Sequence, residues 1–160
     1  LIDLKDVDGI VFYARPDLKL GAGFGTAISI QGGPKVQEEL KKAGSANTTE
    51  VVVTSGGNLQ VKYILHAVGP RFQEKDSERK LRETTLNVLH KAEEHRLKKI
   101  AFPAMGAGFY GIQLEVCASI TMDAAREFLE KANELQEVVF CLRDLREMKV
   151  FREYLRKMRG

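Results

Sequence analysis

Cysteine is scarce in this chain of 160 residues: only Cys117 and Cys141 occur, both in apolar surroundings and neither at metal-ligand spacing. That excludes a disulfide framework, fits a reducing compartment, and leaves both thiols as packing residues. Histidine is nearly as rare. His66 lies in an apolar strand-like run, where a packed, hydrogen-bonded ring is expected, and His90 and His95 lie on a charged helix where solvation is expected. No His, Cys and Asp cluster has metal spacing, so no metal is expected. No serine or cysteine has a spaced base partner that would mark a nucleophile. No apolar run is long enough to span a membrane, and no signal-peptide pattern is present. Charge of one sign is lacking too: 25 basic against 22 acidic residues leave a formal charge of +3. A nucleic-acid binder usually shows a clustered basic face, so no direct DNA or RNA contact is expected. Much of the surplus lies in Arg152, Arg156, Lys157 and Arg159, interleaved with apolar residues at helical spacing, and reads as a solvated helix face.

What is present is enough apolar material, 44% of the chain, for one ordinary domain with a core. Continuous apolar runs at residues 9–14, 51–55, 61–68, 98–102 and 137–142 have strand length. Between them, apolar positions recur at the helical period over residues 35–43, from about 77 to 96, over 114–131 and over 145–158. Pro34 suits the first position of the earliest of these helices, and Gly44 stops it. Asp76 or Ser77 can cap the second. In 114–131 the stripe is Val116, Ile120, Ala124 and Phe128. Residues 1–5 have the look of a strand end. Strands that are apolar without alternation are buried on both faces, which predicts a three-layer α/β/α sandwich around a parallel or mixed sheet. No repeat or linker divides the chain. It starts at Leu1 rather than Met, and a single domain over 1–160, cut from a longer protein, is expected.

Two glycine-rich loops interrupt this pattern. Leu20-Gly-Ala-Gly-Phe-Gly25 follows the first strand, with Arg15-Pro16-Asp17 as a turn before it. Met105-Gly-Ala-Gly-Phe-Tyr-Gly111 follows the fourth strand. A strand, a glycine loop and a helix N-terminus together hold anions, because free backbone N–H groups and the helix dipole converge there. Two such loops leaving the carboxyl ends of strands can clamp the two phosphates of one diphosphate. Phe109 and Tyr110 inside the second loop add aromatic faces, which suits a nucleotide-like ligand; a tight turn with two buried rings is the plainer reading of that loop. Thr26 stands where GxGxxG needs its last glycine, and no Gly-Lys-Ser/Thr follows either loop. That argues against a dinucleotide fingerprint and a Walker loop.

The order Val7-Asp-Gly-Ile-Val11, Gly21-Ala-Gly-Phe-Gly-Thr-Ala-Ile28, Tyr63-Ile-Leu-His-Ala-Val-Gly-Pro70 and Ile100-Ala-Phe-Pro-Ala-Met-Gly-Ala-Gly-Phe-Tyr-Gly111 resembles a macro domain over nearly the whole chain. The resemblance implies a module that binds ADP-ribose, free or on mono- or poly-ADP-ribosylated proteins. It needs no cofactor and is found inside the cell, in nucleus or cytoplasm. Macro-domain-containing ADP-ribosyltransferases are a parent type it suggests, with their other domains as partners. It further implies that Leu20, Gly21, Ala22, Gly23 and Phe24, with Gly106, Ala107, Gly108, Phe109 and Tyr110, grip the diphosphate, Phe109 and Tyr110 lying along the distal ribose.

Several positions depart from the family's pattern. Phe12-Tyr13-Ala14-Arg15 stands where Asn-Ala-Ala-Asn is usual, and Arg15 offers a charge-assisted contact to phosphate in place of an asparagine. Gly25 stands where one class of family hydrolases has an acid. The acid that reads adenine falls near Leu1, with Asp3 reachable only by a shift. Arg143, beside Asp144, replaces an adenine-stacking aromatic, a role a guanidinium also fills. Three functions follow: a non-catalytic ADP-ribose binder with no catalytic residue, a degenerate domain serving as a protein-interaction scaffold, and an ADP-ribosyl hydrolase.

Overall fold

A computed structural model describes residues 6–20, 24–71, 73–107 and 111–159, with the backbone alone of Phe24. The expected strand end at 1–5, Asp3, Gly21 to Gly23 and Gly108 to Tyr110 lie outside the described residues. The chain order is β1 (Gly9–Tyr13), α1 (Phe24–Gly32), α2 (Pro34–Ala43), β2 (Val51–Ser55), β3 (Tyr63–Ala67), α3 (Ser77–Glu94), β4 (Lys99–Phe102), α4 (Leu114–Lys131), β5 (Glu137–Phe140) and α5 (Leu145–Arg159). The strands form one sheet in the order β2-β3-β1-β4-β5. β2 and β3 run antiparallel, while β1 pairs in parallel with β3 and β4, and β4 with β5. The mixed α/β/α sandwich expected from the apolar runs is what forms.

Burial on both faces explains why the central strands lack alternation. Val11, Leu65, Ile100 and Phe102 point to a core shared with α3, α4 and Phe151 of α5. Their neighbours Ile10, Ile64 and Ala101 point the other way, against Ile28 of α1 and Val36 and Leu40 of α2. The apolar stripe of α3 is buried as expected at Leu81, Thr85, Val88, Leu89 and Ala92.

Some local expectations are corrected. α1 starts at Phe24, inside the glycine-rich stretch, so Gly25 belongs to a helix rather than to the loop. Asp76 precedes α3 in a left-handed conformation (φ 55°) and its side chain caps nothing. The deepest side of α4 is Leu114, Cys117, Ala118, Thr121, Met122 and Ala125, with Ala124. Val116, Ile120 and Phe128 flank it, partly buried, because small residues let α4 approach the sheet closely while the larger ones fill the shoulders. Strand β3 begins two residues later than the apolar run, because the N–H groups of Lys62 and Tyr63 both donate to the Asp8 carbonyl (3.0 and 3.2 Å).

The opposite pole from the glycine loops is stitched by Asp8. Its N–H donates to the Lys99 carbonyl (2.8 Å), and its carboxylate accepts from the N–H groups of Lys98 (2.8 Å) and Lys99 (3.1 Å). One residue therefore ties β1 to both of its neighbours.

Candidate functional site

The sheet order places the site. After β1 the chain crosses over α1 and α2 and returns through β2 to β3, on one side of β1; after β4 it crosses over α4 to β5, on the other side. Strand order reverses between β1 and β4, which are adjacent and parallel (Gly9 beside Ile100, Ile10 beside Ala101). The connections leaving their carboxyl ends run to opposite faces, α1 and α2 to one and α4 to the other, and a reversal of this kind is where open α/β sheets take ligands. Both glycine-rich loops leave from these two ends.

The second loop is pinched at its base. Ala107 and Ile112 form an isolated parallel bridge, and the Ile112 N–H donates to the Gly106 carbonyl at 3.1 Å. Gly106 needs its missing side chain: φ is 83°, and a Cβ would lie 3.0 Å from Cδ1 of Ile112. Ala107 is buried. Gln113 at the N-cap of α4 makes no side-chain cap. The first N–H groups of an 18-residue helix are thus left without a side-chain acceptor from that residue.

The approach to the first loop is equally tied down. Leu18 turns in a left-handed conformation (φ 58°), its N–H donating to the Arg15 carbonyl at 2.9 Å. The Lys19 N–H donates to Asp17 Oδ1 (3.0 Å), and this bond is the main reason the Asp17 carboxyl is held below its usual range. Arg15 Nη2 donates to Asp17 Oδ2 at 2.8 Å, in an exposed pair. Asp17 thus serves the turn, as expected, and also holds Arg15. Leu20 is half-buried beside Gly25.

Phe12, on β1, faces both β3 and the first turn of α1. Its half-buried ring meets His66 edge to face, with centroids 6.0 Å apart, and Cζ would lie 3.2 Å from a Cβ on Gly25. His66 is fully buried, and burial pushes its pKa down to about 4, so the ring is neutral. Nε2 lies 2.9 Å from Thr54 Oγ1, whose own proton goes to the Ser55 carbonyl; Nε2 is therefore the donor. Nδ1 is left without a partner among the described residues. The expected packed histidine is present. His90 and His95 are exposed as expected, though each ring rests on an aromatic, Phe128 and Tyr63 respectively.

Arg143, just after β5, is held rather than free. Its Nε (3.0 Å) and Nη2 (2.8 Å) both donate to Glu147 Oε2, and its N–H donates to Glu147 Oε1 at 2.8 Å. Glu147 is wholly buried in the first turn of α5. The guanidinium edge is occupied while the side chain stays 70% exposed.

Two contributors escaped the sequence reading. Tyr13 donates its hydroxyl to the Pro70 carbonyl, and its ring lies against Gly69, 2.3 Å from where a Cβ would stand. It clamps the end of β3 to the end of β1, and the adjacent Gly69-Pro70 pair was the only available sign. Glu147 was the other; its spacing of four from Arg143 was the clue.

Comparison with known proteins decides the family. A family model described as "Macro domain" matches residues 14–121. The chain is a macro domain. A macro domain-containing protein of Caldanaerobacter subterraneus subsp. tengcongensis is 36% identical over 153 residues, covering 92% of this chain and 87% of its own. One from Methanosarcina mazei is 40% identical over 138 residues, 85% of this chain and 73% of the other. Among solved structures, the Trypanosoma brucei macrodomain in complex with ADP-ribose superposes with a TM-score of 0.89 at 28% identity. It covers 96% of this chain and 65% of its own. The Oceanobacillus iheyensis macrodomain with ADP gives 0.87 at 27% identity, covering 94% and 84%.

Proposed function

We propose that this macro domain binds ADP-ribose, free or carried on a modified protein, and does not turn it over. The observation that carries the reading is the strand-order reversal between the adjacent strands β1 and β4, with a glycine-rich stretch following each strand. The macrodomains of Trypanosoma brucei and Oceanobacillus iheyensis, which share this fold, hold ADP-ribose and ADP respectively. In this chain residues 20–24 and 106–110 are the proposed diphosphate grip, with Phe109 and Tyr110 along the distal ribose and Arg143 offering its face to the base. The absence of turnover is supported by Gly25. No acid stands there, and a side chain would meet the Phe12 ring and the backbone of Leu20, at 3.2 and 3.3 Å.

Calorimetric titration with ADP-ribose tests the proposal: saturable heat is expected, and no heat at high micromolar ligand would refute it. Incubation with an ADP-ribosylated protein tests the second half, where released ADP-ribose would overturn it. One observation favours a scaffold reading instead. Phe12 packs against the first turn of α1 and Arg15 is paired with Asp17 at the surface, so both positions already have partners within the chain. A domain that ignores ADP-ribose in the titration would support that second reading.

A further inference from the structure

On the face of the sheet covered by α4 and α5, residues of both helices and of β5 line an apolar groove of about 880 Å³. Its floor is Val138, Phe140 and Leu142; Leu129 forms one wall and Leu155 the other. Three of the chain's four methionines, Met122, Met148 and Met158, line it as well. Leu155 and Met148 are more than one-third exposed. The floor is rigid, because Phe140 stacks on Phe102 and packs against Phe151, with centroids 5.6 and 5.4 Å apart. The methionine side chains are unbranched and adaptable, a property of methionine-rich binding surfaces.

The rim is basic. Arg126, Arg152 and Arg159 line the groove against a single acid, Glu130. Arg126 is loosely paired with Glu130 at 3.9 Å and donates to the Met158 carbonyl at 3.2 Å. Arg152 and Arg159 have no ion pair among the described residues. Two copies of this rim would repel each other, which disfavours a second copy of the chain as occupant. A phosphate polymer would leave the apolar floor wet, and a bilayer surface does not enter a concave channel.

We infer that this groove is a docking site for an acidic amphipathic helix of a partner protein, separate from the strand-order reversal between β1 and β4. The partner would place Leu, Phe or Met at positions i, i+3 or i+4, and i+7 on the floor, with Asp or Glu flanking them toward Arg152 and Arg159.

Fluorescence anisotropy with the full chain tests the inference. The probe is a labelled helical peptide of about fourteen residues, roughly four turns, with leucines at that spacing and glutamates elsewhere. A control peptide keeps the leucines and replaces glutamate by lysine. The acidic peptide is expected to bind, the lysine peptide to bind at least about tenfold more weakly, and R152E/R159E to reverse that order. Amide shifts on titration should map to α4, β5 and α5. Equal binding of both peptides, unchanged affinity in R152E/R159E, or shifts elsewhere would overturn the inference. So would sedimentation showing a dimer that L155E dissolves, or binding to phosphatidylserine vesicles without binding to the peptide. ADP-ribose titration of R152E/R159E should match the parent chain, so failure at either site is told apart from failure at the other.

Discussion

The ring of Phe12 takes the space beside the α-carbon of Gly25: a Cβ on Gly25 would stand 3.2 Å from Phe12 Cζ. An alanine at 25 would ordinarily help the first turn of α1, by up to about 1 kcal/mol. Here the ring must give way, and the Leu20 backbone at 3.3 Å yields less readily. Gly25→Ala is expected to destabilise the fold by about 1 kcal/mol, and Phe12→Leu to recover part of that loss. A double-mutant cycle from urea denaturation measures the coupling; strict additivity would show that the two positions are independent.

Acid should weaken the domain through His66. Its folded pKa, about 4, lies below the ordinary value of 6.5, because burial disfavours the charged ring. The unfolded chain then binds more protons between these values, so stability is full above about pH 6.5 and falls as pH drops toward 4. The loss is at most about 3 kcal/mol. Glu39 acts lower on the scale. Burial would raise its pKa, but the Ser55 hydroxyl and N–H outweigh that and hold it below the usual range. Its contribution is lost only as pH falls below about 4.5. Denaturation midpoints from pH 7 to 4 should decline in the parent chain and stay flatter in His66→Gln over the upper part of that range.

Gly108 lies in the second glycine loop, outside the described residues. Gly108→Glu is expected to abolish ADP-ribose binding by adding bulk and negative charge to the proposed phosphate path, with an affinity loss of at least about a hundredfold. Calorimetry of the variant, with its melting temperature as a check on folding, reads this out; retained affinity would place the ligand elsewhere.

Glu147 accepts three hydrogen bonds from Arg143 while wholly buried. Glu147→Ala would strand the Arg143 N–H and open a void at the start of α5, at a cost of about 2–3 kcal/mol. Glu147→Gln should cost less, since it keeps an acceptor of the same shape. Chemical denaturation of the two variants ranks them, and equal losses would contradict the hydrogen-bonding account.

The sequence was most legible where one signal acted alone. Apolar runs found the strands, and proline and glycine found both ends of α2. Helical periodicity bounded α4 to the residue, Leu114–Lys131. Its buried side was misread because Ala118, Thr121 and Ala125 are weak hydrophobic signals that gain importance only from close approach to a sheet. Of the site, the sequence showed the two glycine-rich loops and put both at the carboxyl ends of strands, but it did not show the strand adjacency behind that relation. That relation depends on β1 and β4 being neighbours, a pairing made by residues about 90 apart in the chain. Arg15 and Arg143 looked like free cations because their acids, Asp17 and Glu147, had no visible reason to face them. Direction of a side chain is a tertiary property.

The bonds of Asp8 to the starts of β3 and β4 fasten the sheet at one pole, as Tyr13 fastens the end of β1 to the end of β3 at the other. Strand alignment at the Asp8 end is set by backbone and carboxylate bonds that no loop residue makes. Loop substitutions are therefore expected to leave the register of β1, β3 and β4 at the Asp8 end in place. Phe12 and Arg15 stand at or just past the other end of β1, where a change of side chain is expected to alter local contacts without shifting that register.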